Sequence, residues 1–278
     1  MPNSSEPVAV GTLDEVLLVD SIEAAAWADW YESIPFEFAE RLKTSVTRFG
    51  SATGITTGGF RISLFNRVIG LGNREPVTPP LLDEIRDHYE QFEVNYSIQV
   101  SPAAQPVQLG ELLEGRGFEP MWRVAKVLLR TPPAEQPVGL RVEEARADQA
   151  ELFGRLRCRG FGMPEELWPL TSGLIGRQRW SNLIAYDGDD AVSVGSVYIG
   201  EEGAWLGGGA TLKEFRGRGG QRATMLSRIA TALRATAVVV TETGEDRSGA
   251  PNPSFHNMLA TGFEIVSLAP QYVRARFR

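Results

Sequence analysis

The stretch Phe215-Arg216-Gly217-Arg218-Gly219-Gly220-Gln221-Arg222 follows an apolar run, Ala204 to Leu212, and precedes Met225, Leu226, Ile229 and Leu233 at three- and four-residue spacing. The first flank reads as a strand and the second as an amphipathic helix, so the glycines sit at a strand-to-helix turn. Such a turn is an anion site, because its backbone N–H groups and the positive end of the helix point the same way. Gly217, Gly219 and Gly220 let the backbone approach a ligand closely. Arg216, Arg218 and Arg222 add guanidinium forks suited to phosphate. The plain alternative is a solvated arginine-glycine turn. A strand before, a helix after and three basic side chains inside favour a phosphate cradle.

Two familiar phosphate loops do not fit. Gln221-Arg222-Ala223 offers no Gly-Lys-Ser/Thr ending of the kind that reaches a nucleotide and its magnesium. Arg222 occupies the third glycine position of a dinucleotide fingerprint, and too little chain follows Glu242 to finish a doubly wound sheet.

Working outward, Gly139 to Val142 reads as a short strand and Ala147 to Cys158 as a helix. Asn182 to Tyr186 and Ala191 to Ile199 read as a hairpin across the turn Asp187-Gly188-Asp189-Asp190. Ala237 to Val240 reads as a buried strand, with Glu242 just past it. Ser254 reads as the cap of a short helix ending at Gly262-Phe263, and Val273, Ala275 and Phe277 alternate as a final strand. The three prolines of Thr131 to Pro137 mark a linker.

Before that linker the order has an echo. Phe60 to Leu71 reads as a strand, Leu81, Ile85, Tyr89 and Phe92 as a helix, and Val94 to Val100 as a strand. A short helix then ends at Gly117-Phe118, ahead of a strand from Met121 to Leu129. The echo suggests a diverged tandem duplication, with one domain over residues 1–133 and another over 138–278. Two unrelated α/β halves remain the alternative. Gly72 to Pro80, the counterpart of the cradle, carries three prolines and Glu75, which remove amide donors and add the wrong charge. The first half is therefore expected to bind no such anion and to act as scaffold or substrate wall. Trp27, Trp30 and Tyr31 read as a core stripe, and Cys158 as incidental.

These residues resemble the GNAT superfamily of acyl-CoA N-acyltransferases. The loop from Phe215 to Gln221 is similar to its Arg/Gln-x-x-Gly-x-Gly/Ala signature, and Asn252 through Gly262-Phe263 looks like its later Asn–helix–Gly-Phe motif. The resemblance covers about 140 residues strongly and the first half weakly, as a degenerate copy. It implies an α+β fold in two tandem copies, each a mixed, mostly antiparallel sheet flanked by helices. It also implies acetyl-CoA as co-substrate, without a metal, and direct transfer of an acyl group to an amine on a small molecule or peptide. The backbone near Thr211 and Leu212 would pair with the pantetheine arm. Asn252 would bond that arm or brace the splayed strands, and an Asx turn before Pro253 is an equal reading. Two departures stand out. Gln221 replaces the usual Gly or Ala, and Met258 replaces the tyrosine that protonates the leaving thiolate in many members.

Glu242 is the candidate base, since an alkyl ammonium must lose a proton before attack. A solvated loop carboxylate among Glu242, Glu245 and Asp246 is the plain reading. Glu201 and Glu202 are weaker candidates at a hairpin tip. Trp168, Trp180 and Trp205 are candidates for an acceptor wall. A non-catalytic acyl-CoA sensor, and an enzyme using a hydroxyl or bulkier acyl group, stay open as alternatives.

Composition bounds the rest. The 278 residues are 42% hydrophobic and 23% charged, as in a globular protein with ample core. The net charge of −7 argues against nucleic acid as the main partner. Residues 1–135 hold 11 basic and 19 acidic residues, and residues 136–278 hold 17 and 16, so the positive charge gathers where the anion site is expected. The single cysteine allows no internal disulfide. No Cys/His spacing suits a metal, and no signal or membrane-spanning run is evident, so a cytoplasmic location is expected. Oligomeric state is not legible.

Overall fold

The computed structural model describes residues 5–134, 139–246 and 250–276. Glu135 to Pro137 of the expected linker, and Phe277 of the expected last strand, lie outside them.

The first half contains β1 (Val8–Ala9), α1 (Leu13–Glu32), α2 (Phe36–Leu42), β2 (Thr44–Phe49), β3 (Ala52–Thr57), β4 (Arg67–Ile69), α3 (Pro79–Glu90), β5 (Tyr96–Gln99), α4 (Leu109–Glu114) and β6 (Glu119–Leu129). The second contains β7 (Arg141–Glu144), α5 (Ala150–Phe161), α6 (Pro169–Ser172), β8 (Trp180–Asp187), β9 (Asp190–Ile199), β10 (Ala204–Thr211), α7 (Gly220–Leu233), β11 (Val239–Gly244), α8 (Pro253–Ala260) and β12 (Phe263–Arg274). Among the described residues one sheet runs β2-β3-β4-β5-β12-β6-β11-β10-β9-β8-β7, with β1 added to β12. Among the described residues only the pairs β4–β5 and β10–β11 are parallel.

The centre of that order is an exchange. The last strand of the second half, β12, lies between β5 and β6, and the last strand of the first half, β6, lies between β12 and β11. The β6–β12 ladder runs from Phe263↔Leu129 to Val273↔Glu119. Neither half completes its own ladders, and the core is continuous across the join. Helix α1 packs over that join. Its start is fixed by a capping box, in which Glu15 N donates to Thr12 Oγ1 at 3.3 Å and Thr12 N to Glu15 Oε2 at 2.9 Å. Its Val16, Val19, Ile22, Ala26, Trp27 and Trp30 join a cluster with Ile55, Leu128, Trp205, Val240 and Val266. Each fully buried Val, Ile or Leu among them contributes roughly 1.5–3 kcal/mol.

Three expectations need correction. A strand from Phe60 to Leu71 forms only at Arg67–Ile69, and β2 and β3 arise upstream where none was expected. The amide of Asn66 draws the intervening loop off the sheet: its Oδ1 accepts from Thr57 N at 2.7 Å, and its Nδ2 donates to Phe60 O at 2.7 Å. The strand expected at Ala237–Val240 instead begins at Val239 and runs to Gly244, because β6 pairs with its far edge from Val240↔Leu128 to Gly244↔Val124. Glu242 therefore lies on a strand. Finally, Asn252 rather than Ser254 caps α8, accepting from Ser254 N at 3.0 Å.

Candidate active site at the join

The parallel ladder of β10 and β11 pairs Ala204↔Val239, Trp205↔Val240 and Leu206↔Thr241, and then stops. Thr241 Oγ1 donates to Leu206 O at 2.7 Å at the fork. Beyond it β11 follows β6, while β10 follows β9 through a register shift between Gly207 and Ala210. The two strands splay. Gly208, within the bulge, has φ +57°, and a Cβ there would lie 1.0 Å from Arg157 Nη2. Glycine in a strand marks a bulge or a close approach, and here it marks both. In the sequence, the signal for this feature is the run Gly207-Gly208-Gly209.

Past β10 the chain makes one tight helical turn, Lys213–Phe215, and enters the glycine loop. Gly217 and Gly219 have φ of +80° and +88°, and a Cβ on either would meet nothing within 4 Å. The backbone conformation, not crowding, demands glycine there, and the space over the loop is open. Helix α7 starts at Gly220, so its first amides have no acceptor within the helix. Among the described residues, none accepts from the amides of Gly217, Arg218 or Gly219. The loop thus presents open donors at the positive end of a helix of 14 residues, which fits a diphosphate.

The neighbouring side chains are partly committed. Arg216 Nη2 donates to Gly160 O at 3.0 Å, which ties the loop to α5. Arg218 Nη1 lies 3.5 Å from Asp187 Oδ2, and its guanidinium lies over the Phe215 ring. Arg222 is exposed. Gln221 turns towards α8, where its Oε1 accepts from Asn257 Nδ2 at 2.7 Å. Asn252 bridges the end of β11 to α8, donating to Gly244 O at 2.6 Å and Thr243 Oγ1 at 3.1 Å. Leu212 N is taken by Val192 O at 3.0 Å, so the stretch of β10 turned away from β11 begins at Gly207. Thr211 Oγ1 shares a 2.8 Å hydrogen bond with Ser193 Oγ.

The splay opens into a cavity of about 440 Å³, within the range of small-ligand sites. One wall comes from the first half, with Trp27, Trp30, Phe65, Arg67 and Trp122. The other comes from the second, with Arg157, Cys158, Trp205, Gly207, Arg228 and Glu242. Gln221, Met225, Ser254 and Met258 line the end nearest α7 and α8. Trp27 and Trp30 are core residues that also face this space. Of the three tryptophans offered as an acceptor wall, Trp205 lines the cavity. Trp180 donates to Asp29 Oδ1 at 2.7 Å and packs behind Trp205, and Trp168 is not part of the lining. Glu201 and Glu202 sit at the β9–β10 tip, away from it.

Glu242 is half-buried because it lines the cavity. Its Oε2 accepts a hydrogen bond from Trp205 Nε1. Burial pushes this carboxyl up to about 8, and the nearby Glu23 carboxylate adds to the rise. Arg67, the Trp205 bond and Lys126 hold it back. Lys126 is the cross-strand partner of Glu242 on β6. Its ammonium is buried between Asp20 and Glu23 of α1, 2.6 Å from Glu23 Oε2. Burial favours the neutral amine, but those two carboxylates outweigh it and hold the lysine charged. Arg67 completes the group, its Nη2 2.8 Å from Glu23 Oε1 and its Cζ 4.3 Å from the centre of the Trp27 ring. Glu23 is itself held below the usual carboxylate value, because Lys126 and Arg67 outweigh its burial.

An acyl-CoA N-acyltransferase fold is defined by these features together: a splayed parallel strand pair, a bulge on one arm, and a glycine-rich turn opening a helix. No protein-family model and no curated protein sequence matches the chain. Solved structures show the fold directly. A GCN5-related N-acetyltransferase from Kribbella flavida superposes with a TM-score of 0.60 at 14% identity, over 96% of this chain and 97% of that one. A tandem GNAT protein from the clavulanic acid biosynthesis pathway gives 0.56 at 15% identity, over 97% and 98%. A GCN5-related N-acetyltransferase from Sphaerobacter thermophilus gives 0.55 at 14% identity, over 96% and 94%. The chain has the GNAT fold in tandem arrangement, with the mixed, mostly antiparallel sheet expected from the sequence. Among the described residues, no helix is long and apolar enough to cross a membrane.

Proposed function

We propose that this chain is an acyl-CoA-dependent N-acyltransferase, an acetyltransferase in its simplest form, whose acceptor amine enters the cavity between the two halves. The observation that carries this reading is the meeting of three elements. The open amides of Gly217 to Gly219 lie at one end of the splay, the bulge at Gly207–Gly209 at its fork, and a carboxyl of raised proton affinity, Glu242, in the cavity wall.

In this reading the loop amides and the guanidiniums of Arg216, Arg218 and Arg222 hold the pyrophosphate. The backbone from Gly207 to Thr211 lies along the pantetheine arm, Leu212 N being held by Val192 O instead, and Asn252 braces the arm's opposite wall. Glu242, titrating near 8, is matched to take a proton from an ammonium close to neutral pH. The freed nitrogen attacks the thioester carbonyl carbon. The C–N bond forms as the C–S bond breaks; Glu242 holds the proton taken from the ammonium until solvent removes it, and the second proton, shed by the nitrogen after attack, passes to the departing thiolate or to solvent. A main-chain N–H at the bulge stabilises the oxyanion. Met258 lines the cavity where many relatives place a tyrosine, but the thiol's ordinary pKa of roughly 8.5 lets it leave as thiolate. The first half supplies wall and charge network, and its own Gly72–Pro80 loop holds no second coenzyme.

Calorimetry with coenzyme A tests the cradle. The Arg216→Glu/Arg218→Glu variant should bind more than about 30-fold more weakly, as two charge-assisted contacts become repulsive. Unchanged affinity would remove the coenzyme assignment. Met258 also favours a second reading, a non-catalytic acyl-CoA sensor. Thiol release from acetyl-CoA with any amine excludes it, and silence across a broad amine panel with intact coenzyme binding supports it.

A further inference from the structure

Arg157 projects from α5 into the join and is 2% exposed. Its guanidinium lies 4.2 Å over the Trp30 ring and packs against the backbone of Gly208 at the bulge. Neither Nη1 nor Nη2 meets a hydrogen-bond acceptor, and both are sealed from solvent. A second buried arginine, Arg228 of α7, lies close enough to act on it. Arg228 is tethered only to neutral groups: Gly207 O at 3.3 Å, Thr224 O at 3.3 Å and Met225 Sδ at 3.7 Å. No carboxylate forms an ion pair with either guanidinium among the described residues, although the adjoining Arg67–Lys126 group is matched by Asp20 and Glu23. Burial, and then the positive charge of Arg228, pulls Arg157 down to about 9.

Unpaired buried charge is costly, and proteins ordinarily neutralise it. The pyrophosphate cannot do so here, because its cradle lies beyond Arg216 at the start of α7, whereas Arg157 sits at the fork of the splay. Both arginines line the cavity. An anion arriving there meets a planar fork backed by an aromatic ring, an arrangement that suits a planar carboxylate.

We infer that Arg157 receives a carboxylate carried by the ligand that fills this cavity, borne either by the transferred acyl group or by the acceptor amine. The inference rests on the acyl-transfer reading for what enters the cavity, and it narrows the substrate class. A small rotation of the guanidinium off Gly208 turns its two free nitrogens to the ligand. Arg228, beside it, makes the site more positive still. The aromatic walls would hold an apolar body attached to that carboxylate.

Binding to the full chain tests this without turnover, using two matched pairs. Succinyl-CoA against butyryl-CoA probes a carboxylate on the acyl group. Phenylalanine against phenethylamine, with coenzyme A present, probes one on the acceptor. In one pair the carboxylate member should bind about 10- to 100-fold more tightly, as expected of a charge-assisted fork. Arg157→Gln should abolish that preference while leaving coenzyme A affinity unchanged, and Arg157→Lys should keep part of it. Absence of a preference in both pairs overturns the inference, as does a preference that survives Arg157→Gln. Should Arg157→Gln fail to fold, the wild-type comparison and Arg157→Lys still decide. Failure of the acyl-transfer reading looks different: coenzyme A itself would not bind wild-type protein.

Discussion

Replacing Glu242 by glutamine separates catalysis from stability in a way that the geometry fixes in advance. The substitution keeps size and leaves an oxygen to accept from Trp205 Nε1, but it removes the ionisable group. With a carboxyl titrating near 8, the ionised fraction is about 1% at pH 6, about half at pH 8 and about 90% at pH 9. If the ionised form is the base, wild-type kcat/KM rises roughly 90-fold between pH 6 and pH 9, before any loss of coenzyme stability. In Glu242→Gln the limb disappears, and the rate at pH 9 falls about 10²- to 10⁴-fold, the usual contribution of a positioned base. Stability moves the other way. A group whose proton affinity rises on folding, here from 4.5 to about 8, stabilises fully below 4.5 and loses that contribution as pH climbs through 8. The ceiling on the loss is roughly 5 kcal/mol at about 1.36 kcal/mol per tenfold in affinity. Glu242→Gln should therefore melt several degrees above wild type at pH 9, with a smaller gap at pH 5. Stopped-flow thiol release across pH and thermal unfolding at the two pH values are the assays. A limb that persists in the variant refutes the base assignment, and equal melting at pH 9 refutes the burial argument behind the raised affinity.

Three further outcomes follow from the same network. Trp205→Phe removes a hydrogen bond that favours the ionised carboxyl, so the activity limb should move to higher pH, read from the same profile. Lys126→Met strands Asp20 without its cation and leaves Glu23 with Arg67 alone, and should cost about 3–5 kcal/mol, seen as a lower denaturant midpoint. Asn252→Ala deletes a helix cap and two bonds to the end of β11, and should cost about 1–2 kcal/mol in the same titration while weakening coenzyme binding less than charge reversal of the loop does.

Much of the second half was legible because its signals are local. The Asp187–Asp190 turn, the stripe on α7 and the Arg-Gly loop each declare themselves within about ten residues. The misses share a different character. Strands β2 and β3, read from Thr44-Ser45-Val46-Thr47 to Thr56-Thr57, are rich in small polar residues and carry no alternation, so only their neighbours make them strands. Glu242 looked like a loop residue because Thr241-Glu242-Thr243-Gly244 is polar, and the β6 edge that holds it extended lies more than 100 residues away. Arg157 and Arg228 are the deepest failure. Arginine on an amphipathic helix is ordinarily a solvated residue, and nothing in either α5 or α7 alone shows that both side chains are buried in the fold.

The interleaving of β6 and β12 has a consequence for biosynthesis. Residues 119–129 leave the ribosome long before residues 263–274, yet the later segment fills the gap between β5 and β6. Until that later segment emerges, the facing edges of β5 and β6 have no β12 between them. A chain that stopped between Leu129 and Phe263 would therefore leave β5 and β6 with open edges prone to pairing with other chains.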